Sequence, residues 1–268
     1  MTRATFPRWV NLVEVGLRDG LQGESTWIPT EEKLALIDAL VGAGIRRIQV
    51  TSFVHPKWVP QMADAELVCA GLTPHKDVVY SGLVLNLKGV ERAVEAGLAQ
   101  VDMGISASDA HSRRNTNRST AEALAEFERM VATAHASGVA VRGAIQCAFG
   151  YQDVEDVRSE RVNWLVQRFL DFGVEELALA DSAGLADPRR ILERVGPIAM
   201  EVGDLPLILH LHDTRGMGLA NLLAALQCGV HHFDTAFGGL GGCPFIDNAA
   251  GNISTEDTAN MLNSMGIE

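Results

Sequence analysis

The sequence has no closely spaced pair of cysteines. Its four, Cys69, Cys147, Cys228 and Cys243, are scattered and form no CxxC. That argues against a disulfide framework and against a structural zinc site, and it fits a reducing compartment. Positive charge is also scarce: 22 Lys and Arg stand against 34 Asp and Glu, a net charge of −12. A general nucleic-acid surface needs concentrated cations and is excluded, so an anionic ligand would require a local basic patch. No apolar run approaches the roughly 20 residues that span a bilayer, and the N-terminus lacks the charged-then-apolar layout of a signal peptide. The expectation is a soluble cytoplasmic protein with neither a nucleic-acid nor a membrane partner. Linkers and low-complexity stretches are missing too. The 268 residues, 47% of them hydrophobic, therefore read as one domain, 1–268, with a large core.

What is present is an alternation. Short apolar, β-branched runs at 10–17, 46–53, 77–85, 100–106, 139–147, 175–181, 206–212 and 231–236 read as strands. They are near-continuous rather than alternating, as expected when both faces of a parallel sheet are covered. Amphipathic segments at 31–43, 58–71, 87–97, 119–137, 156–172, 188–202, 216–229 and 254–265 read as helices. Gly44, Gly97, Gly138, Gly173 and Gly229 stand at helix stops, and Thr30 and Asp187 at helix starts. Eight strand–helix units predict an α/β fold, a (β/α)₈ TIM barrel. An open doubly wound sheet is the alternative, weakened by the lack of GxGxxG after the first strand.

Polar residues gather at the C-terminal ends of these strands: Arg18-Asp19, Thr51-Ser52, Asn86, Ser106, Asp181, His210 and His212. In a barrel those ends form one mouth, where active sites lie. His210-Leu211-His212 puts two imidazoles on one side of a strand. Strands one and seven contribute to the same interior layers, so Asp19 can approach the pair. Two imidazoles and a carboxylate leave a divalent cation with open positions, a Lewis-acid site. Oxygen completion, for instance by Asn252, favours Mg²⁺ or Mn²⁺, though Zn²⁺, Co²⁺ or Fe²⁺ also suit such donors. The competing reading is two histidines hydrogen-bonded inside the barrel mouth. After the last strand, FGGLGGCPF (237–245) supplies four glycines in six residues, suited to a loop that moves or brings its backbone close to a ligand. Cys243 on that loop is placed to deliver or accept a proton; the alternative is a buried thiol in a tight turn. Cys69, Cys147 and Cys228 read as core.

These residues together resemble the hydroxymethylglutaryl-CoA lyase family, marked by an Arg-Asp pair on strand one. EVGLRDGLQ (14–22), TSFVHPKWVPQM (51–62), HLHDTRGMGLAN (210–221) and GLGGCPF (239–245) match its motifs in order, over nearly the whole chain. The resemblance implies metal ligation by Asp19, His210, His212 and Asn252. It also implies catalytic roles for Arg18 as electrostatic stabiliser, Asp19, His210, Asp181 near the substrate, and Cys243 as the thiol. The reaction implied is metal-dependent cleavage of a 3-hydroxyacyl-CoA to acetyl-CoA and a keto acid. The acyl-CoA partner needs cations, for which Arg113, Arg114 and Asn115, beyond strand four, are the candidates, with Arg118 and Lys57 behind them; a solvated charge run is the plainer reading. A homo-oligomer, dimer or tetramer, is expected.

Three departures stand out. Gln49 occupies a position where the family has a glutamate, so a carboxylate beside the site is expected to be missing. Arg215 replaces a tyrosine of the animal-type enzymes and is expected to add positive charge at the mouth. The chain stops at Glu268, where the family continues with segments that help cover the acyl-CoA. Rival readings are a Claisen-type synthase with the same Arg-Asp and HxH, a ferrous oxygenase, and a catalytically silent scaffold. The synthases lack the GLGGCP loop and carry an added domain. An oxygenase leaves Arg18 and Cys243 without a role.

Overall fold

Eight parallel strands alternate with helices in the computed structural model, which describes residues 6–242 and 251–268. The strands are β1 (Asn11–Glu14), β2 (Arg47–Ser52), β3 (Val79–Val84), β4 (Gln100–Ser106), β5 (Ala140–Gln146), β6 (Glu176–Asp181), β7 (Leu207–Leu211) and β8 (His232–Thr235). Each pairs with its successor, and β8 pairs with β1 from Asn11↔His232 to Glu14↔Thr235, which closes the barrel and rules out the open sheet. Outside run α1 (Thr30–Gly42), α2 (Ala65–Gly71), α3 (Leu87–Glu95), α4 (Asp109–Thr116), α5 (Thr120–Ala136), α6 (Ser159–Phe172), α7 (Pro188–Val202), α8 (Gly218–Gln227) and α9 (Thr255–Ser264). Among the described residues, no helix is long and apolar enough to cross a membrane.

The two faces of the strands divide the work. Val101, Met103, Ile105, Val141, Ile145, Leu177, Leu179, Leu209 and Leu211 belong to the one large apolar cluster that joins barrel and helices. At about 25 cal/mol per Å² of buried apolar surface, this shell is the main source of stability. The barrel interior is instead polar and ionic. Arg47 of β2 reaches Glu176 of β6 at 2.5 Å, and Arg142 of β5 pairs with Asp234 of β8; both contacts cross the barrel. Such contacts satisfy buried charge by pairing it.

Several local expectations change. The first strand stops at Glu14 rather than residue 17, because Gly16–Gly20 form a wide π-type turn in which the Asp19 and Gly20 amides both donate to the Val15 carbonyl, at 2.7 and 3.3 Å. Gly16 is required there: a Cβ would lie 2.5 Å from the Phe237 ring and 2.6 Å from Glu14 Oε1. Thr30 is not a cap. Pro29 holds that place, and the Thr30 hydroxyl donates to Asp64 Oδ2 at 2.7 Å. Asp187 does cap α7, accepting from the Arg190 amide at 3.0 Å, with Pro188 in the first turn. Residues 109–116 form a helix that apolar periodicity does not reveal; Ser108 caps it by accepting from the His111 amide. The five stop glycines all have positive φ, from 71° to 103°, a backbone region that Cβ-bearing residues rarely adopt.

Candidate active site

The turn after β1 lifts Arg18 and Asp19 over the barrel mouth. β7 brings His210 and, one residue past its end, His212. The segment before α9 brings Asn252, bridged in antiparallel fashion to His212. The three titratable side chains each offer a donor atom within 4.8 Å of the others. The two Nε2 atoms lie 3.0 Å apart, and His212 Nε2 is 3.9 Å from Asp19 Oδ2. Asn252 Nδ2 donates to Asp19 Oδ2 at 2.8 Å and to the Leu240 carbonyl at 3.0 Å. Its Oδ1 is buried with no hydrogen-bond partner among the described residues, an orphan acceptor.

That donor set fits a divalent cation. A hydrogen bond between the imidazoles would account for their mutual distance but leaves the Asn252 oxygen unsatisfied, which is costly when buried. Asp19 is ready as a ligand. Burial raises its pKa, but Arg18, both histidines and the Asn252 amide outweigh burial and hold it at about 2, so it is ionised at neutral pH. His210 is oriented from behind: Asp234 Oδ2 sits 3.0 Å from Nδ1, which turns the Nε2 lone pair to the cluster. Burial raises the Asp234 pKa, but Arg142, which also pairs with it, and His210 hold it far below the usual carboxylate range.

The glycine loop, described as far as Gly242, approaches this cluster with its backbone. At Gly241, φ is 124°, and a Cβ would lie 2.4 Å from Asn252 Nδ2 and 3.0 Å from Asp19 Oδ2. Glu14, fully buried inside β1, ties three segments together. It accepts from the amides of Gly16 at 2.6 Å and Phe237 at 3.1 Å, and from the Thr255 hydroxyl at 2.7 Å.

The model of the family described as HMGL-like matches residues 9–268. The chain belongs to the HMGL-like family. It is 40% identical over 263 residues to hydroxymethylglutaryl-CoA lyase YngG of Bacillus subtilis, covering 98% of this chain and 88% of that one. It is 43% identical to the cytoplasmic 3-hydroxy-3-methylglutaryl-CoA lyase of Danio rerio, over 98% of this chain and 78% of the relative. Among solved structures it superposes with a TM-score of 0.94 on an HMG-CoA lyase from Acinetobacter baumannii in complex with coenzyme A and 3-methylmalate, at 40% identity, covering 100% of this chain and 87% of the other.

Other expected site residues lie outside the Asp19–His210–His212 cluster, Asp181 beside it on the neighbouring strand. Asp181, fully buried at the end of β6, accepts from the amides of Leu185 and Ala186 at 2.8 and 3.0 Å. Burial lifts its pKa to about 6, against these donors and the Arg215 and His210 charges. Arg215 adds its positive charge here as expected, acting on Asp181 while donating to the carbonyls of Gly184, Leu185 and Ala186. Arg113 and Arg114 are exposed on α4, Arg113 paired with Asp109 at 3.2 Å and Arg114 Nη1 3.3 Å from the Tyr151 hydroxyl; Asn115 is half-buried beside them. β4, which leads into α4, lies across the barrel from β8. Cys243 lies outside the described residues.

At position 49 an amide, not a carboxylate, faces Arg18. Gln49 is buried between Arg18 Nε, which donates to its Oε1, and Asp102, whose Oδ2 accepts from its Nε2. A carboxylate does lie one hydrogen bond further from Arg18, at Asp102 on β4. Asp102, Arg142, Asp234 and Glu14 were all missed in the sequence. Their signal is a lone charge inside an apolar strand run (VDMGI, VRGAI, FDT, VEVG), which a closed barrel turns inward.

Proposed function

We propose that the whole chain, 1–268, is one metal-dependent carbon–carbon lyase domain. It cleaves a 3-hydroxyacyl-CoA, hydroxymethylglutaryl-CoA or a close analogue, to acetyl-CoA and a keto acid. The observation that carries this reading is the convergence of Asp19, His210, His212 and the orphan Asn252 Oδ1, with Arg18 held at the edge of the cluster. These donors, two nitrogens and two oxygens, suit Mg²⁺ or Mn²⁺, with Zn²⁺ or Co²⁺ able to substitute. When bound, the ion supplies Lewis-acid polarisation of the substrate's oxygens.

The chain's own residues divide the rest. The hydroxyl proton leaves to Asp19 or His210, the acceptors within the cluster. As the carbonyl forms, the carbon–carbon bond breaks and its electron pair passes into the thioester. Arg18 donates through Nε to Gln49 and through an Nη to Asp19, which fixes the guanidinium plane while its charge opposes the negative charge growing on the thioester oxygen. Cys243, on the glycine loop, returns a proton to the carbon. Asp181 stiffens the loop after β6 and lies beside the substrate. Arg113, Arg114 and Asn115 hold the coenzyme A phosphates. We place the enzyme in the cytoplasm as a dimer or tetramer.

The test is a panel of 3-hydroxyacyl-CoA thioesters offered to purified protein with Mg²⁺ or Mn²⁺, following acetyl-CoA or propionyl-CoA release. Metal-dependent release from hydroxymethylglutaryl-CoA or an analogue is expected. No release from any member refutes the reading. Cys243→Ser is expected to slow turnover about a hundredfold, the scale of a lost general acid, with substrate binding retained.

A further inference from the structure

Arg18 is held by two contacts, one to the adjacent Asp19 and one to Gln49. The second is the start of a chain. Gln49 Oε1 accepts from Arg18 Nε, and Gln49 Nε2 donates to Asp102 Oδ2. Asp102 Oδ2 also accepts from the Ser81 hydroxyl at 2.6 Å, and its Oδ1 lies 3.9 Å from Arg142 Nε and 3.5 Å from Gln100 Nε2. Gln49, Ser81 and Asp102 are 2%, 4% and 3% exposed, so none of these groups can turn to water instead.

The chemistry fixes which way the amide points. Reversing it would set an N–H against the guanidinium and a carbonyl against the carboxylate, leaving four buried groups mismatched. Only a side chain that accepts at one end and donates at the other fits between a cation and an anion here. A glutamate at position 49 would satisfy Arg18 but face Asp102 with a second carboxylate inside the barrel. Two buried carboxylates at hydrogen-bonding distance cannot both stay ionised, so one would have to take up a proton or the pair would separate.

We propose that Gln49 and Asp102 act together as an amide–carboxylate bridge that positions Arg18, with Asp102, on β4, supplying the anchoring charge. The bridge runs from the mouth into the ionic interior, where Arg142 joins it to Asp234 and so to His210. Arg18 and the metal-cluster histidine are thereby referenced to one buried framework. Asp102 and Gln49 are positioning residues; neither has to touch substrate.

This inference rests on Arg18 acting in the lyase reaction. Arg18→Met separates the two ideas, because unchanged turnover in that variant removes the role of Arg18 itself, whatever the bridge does.

The bridge is tested by exchange. Gln49→Glu alone is expected to lower kcat at least about tenfold, the cost of a misplaced catalytic group, with KM for the acyl-CoA and bound metal little changed. It should also introduce a pH dependence of kcat from the shared proton of the two carboxylates. The double variant Gln49→Glu/Asp102→Asn exchanges amide and carboxylate, keeps the total charge, and is expected to recover kcat to within about threefold of wild type and remove the new pH dependence. Full activity in Gln49→Glu, or a double variant no better than Gln49→Glu, overturns the proposal. Should Gln49→Glu fail to fold, Gln49→Met keeps the volume without donor or acceptor. A tenfold loss there supports the bridge, and unchanged kcat overturns it.

Discussion

Two sides of the barrel mouth follow opposite designs. Around β1 and β7, the described ligand side chains are buried and tied to a second group: Asp19 to Arg18, Gln22 and Asn252, and His210 to Asp234. Beyond β4, Arg113 and Arg114 stand on a short helix in contact with solvent. The difference is instructive. Bond cleavage needs donors and charges that do not reorganise, which burial and pairing provide. A long, highly charged substrate tail needs cations that it can reach from water, where each contact contributes little.

The sharpest way to break this contrast is at the buried side. His210→Ala and His212→Ala are each expected to lose bound metal on dialysis and essentially all turnover, because too few ligands remain, while the circular-dichroism spectrum stays native. Full metal content by elemental analysis in either variant contradicts the assignment. Next in size is Gly241→Ala. A positive-φ alanine with its Cβ against Asn252 and Asp19 is expected to cost about 1–3 kcal/mol and to weaken metal binding. Gly44→Ala, with φ of 103° but open space around it, is the control, expected to show the backbone cost without the metal loss.

Smaller effects are expected across the mouth. Arg113→Ala and Arg114→Ala should raise KM for the acyl-CoA several-fold at constant kcat, most visibly at low salt. A thioester lacking the nucleotide should not sense either change. A loss in kcat instead would place α4 in the chemistry. The smallest signal is a pH effect on stability. Asp181 has a folded pKa of about 6, above its ordinary 3.8, so between these values the native protein binds a proton that the unfolded chain has released. Stability from this group is therefore greatest below pH 4 and declines as pH rises to about 6. Asp181→Asn should flatten that part of the Tm–pH curve.

How far the sequence could be read depended on the kind of signal. Glycine stops and apolar runs were enough for eight strand–helix units, because parallel strands covered on both faces leave an unmistakable pattern. The His210/His212 spacing was equally direct, since a strand's period of two puts both rings on one side. The helix at 109–116 escaped because it carries almost no apolar stripe, and Thr30 misled because its hydroxyl had a better partner in Asp64, on a distant segment.

The sequence alone determined the barrel, the residues that could bind metal, and the glycine-rich approach to Cys243. These follow from local periodicity and residue chemistry. Only the tertiary structure decided what stands behind them. That Asp234 orients His210, that Glu14 ties the β1 turn to the glycine loop, and that Asp102 accepts from Gln49 behind Arg18 all depend on strands far apart in sequence. A charge within an apolar run shows that it needs a partner; only closure of the barrel brings that partner across the interior.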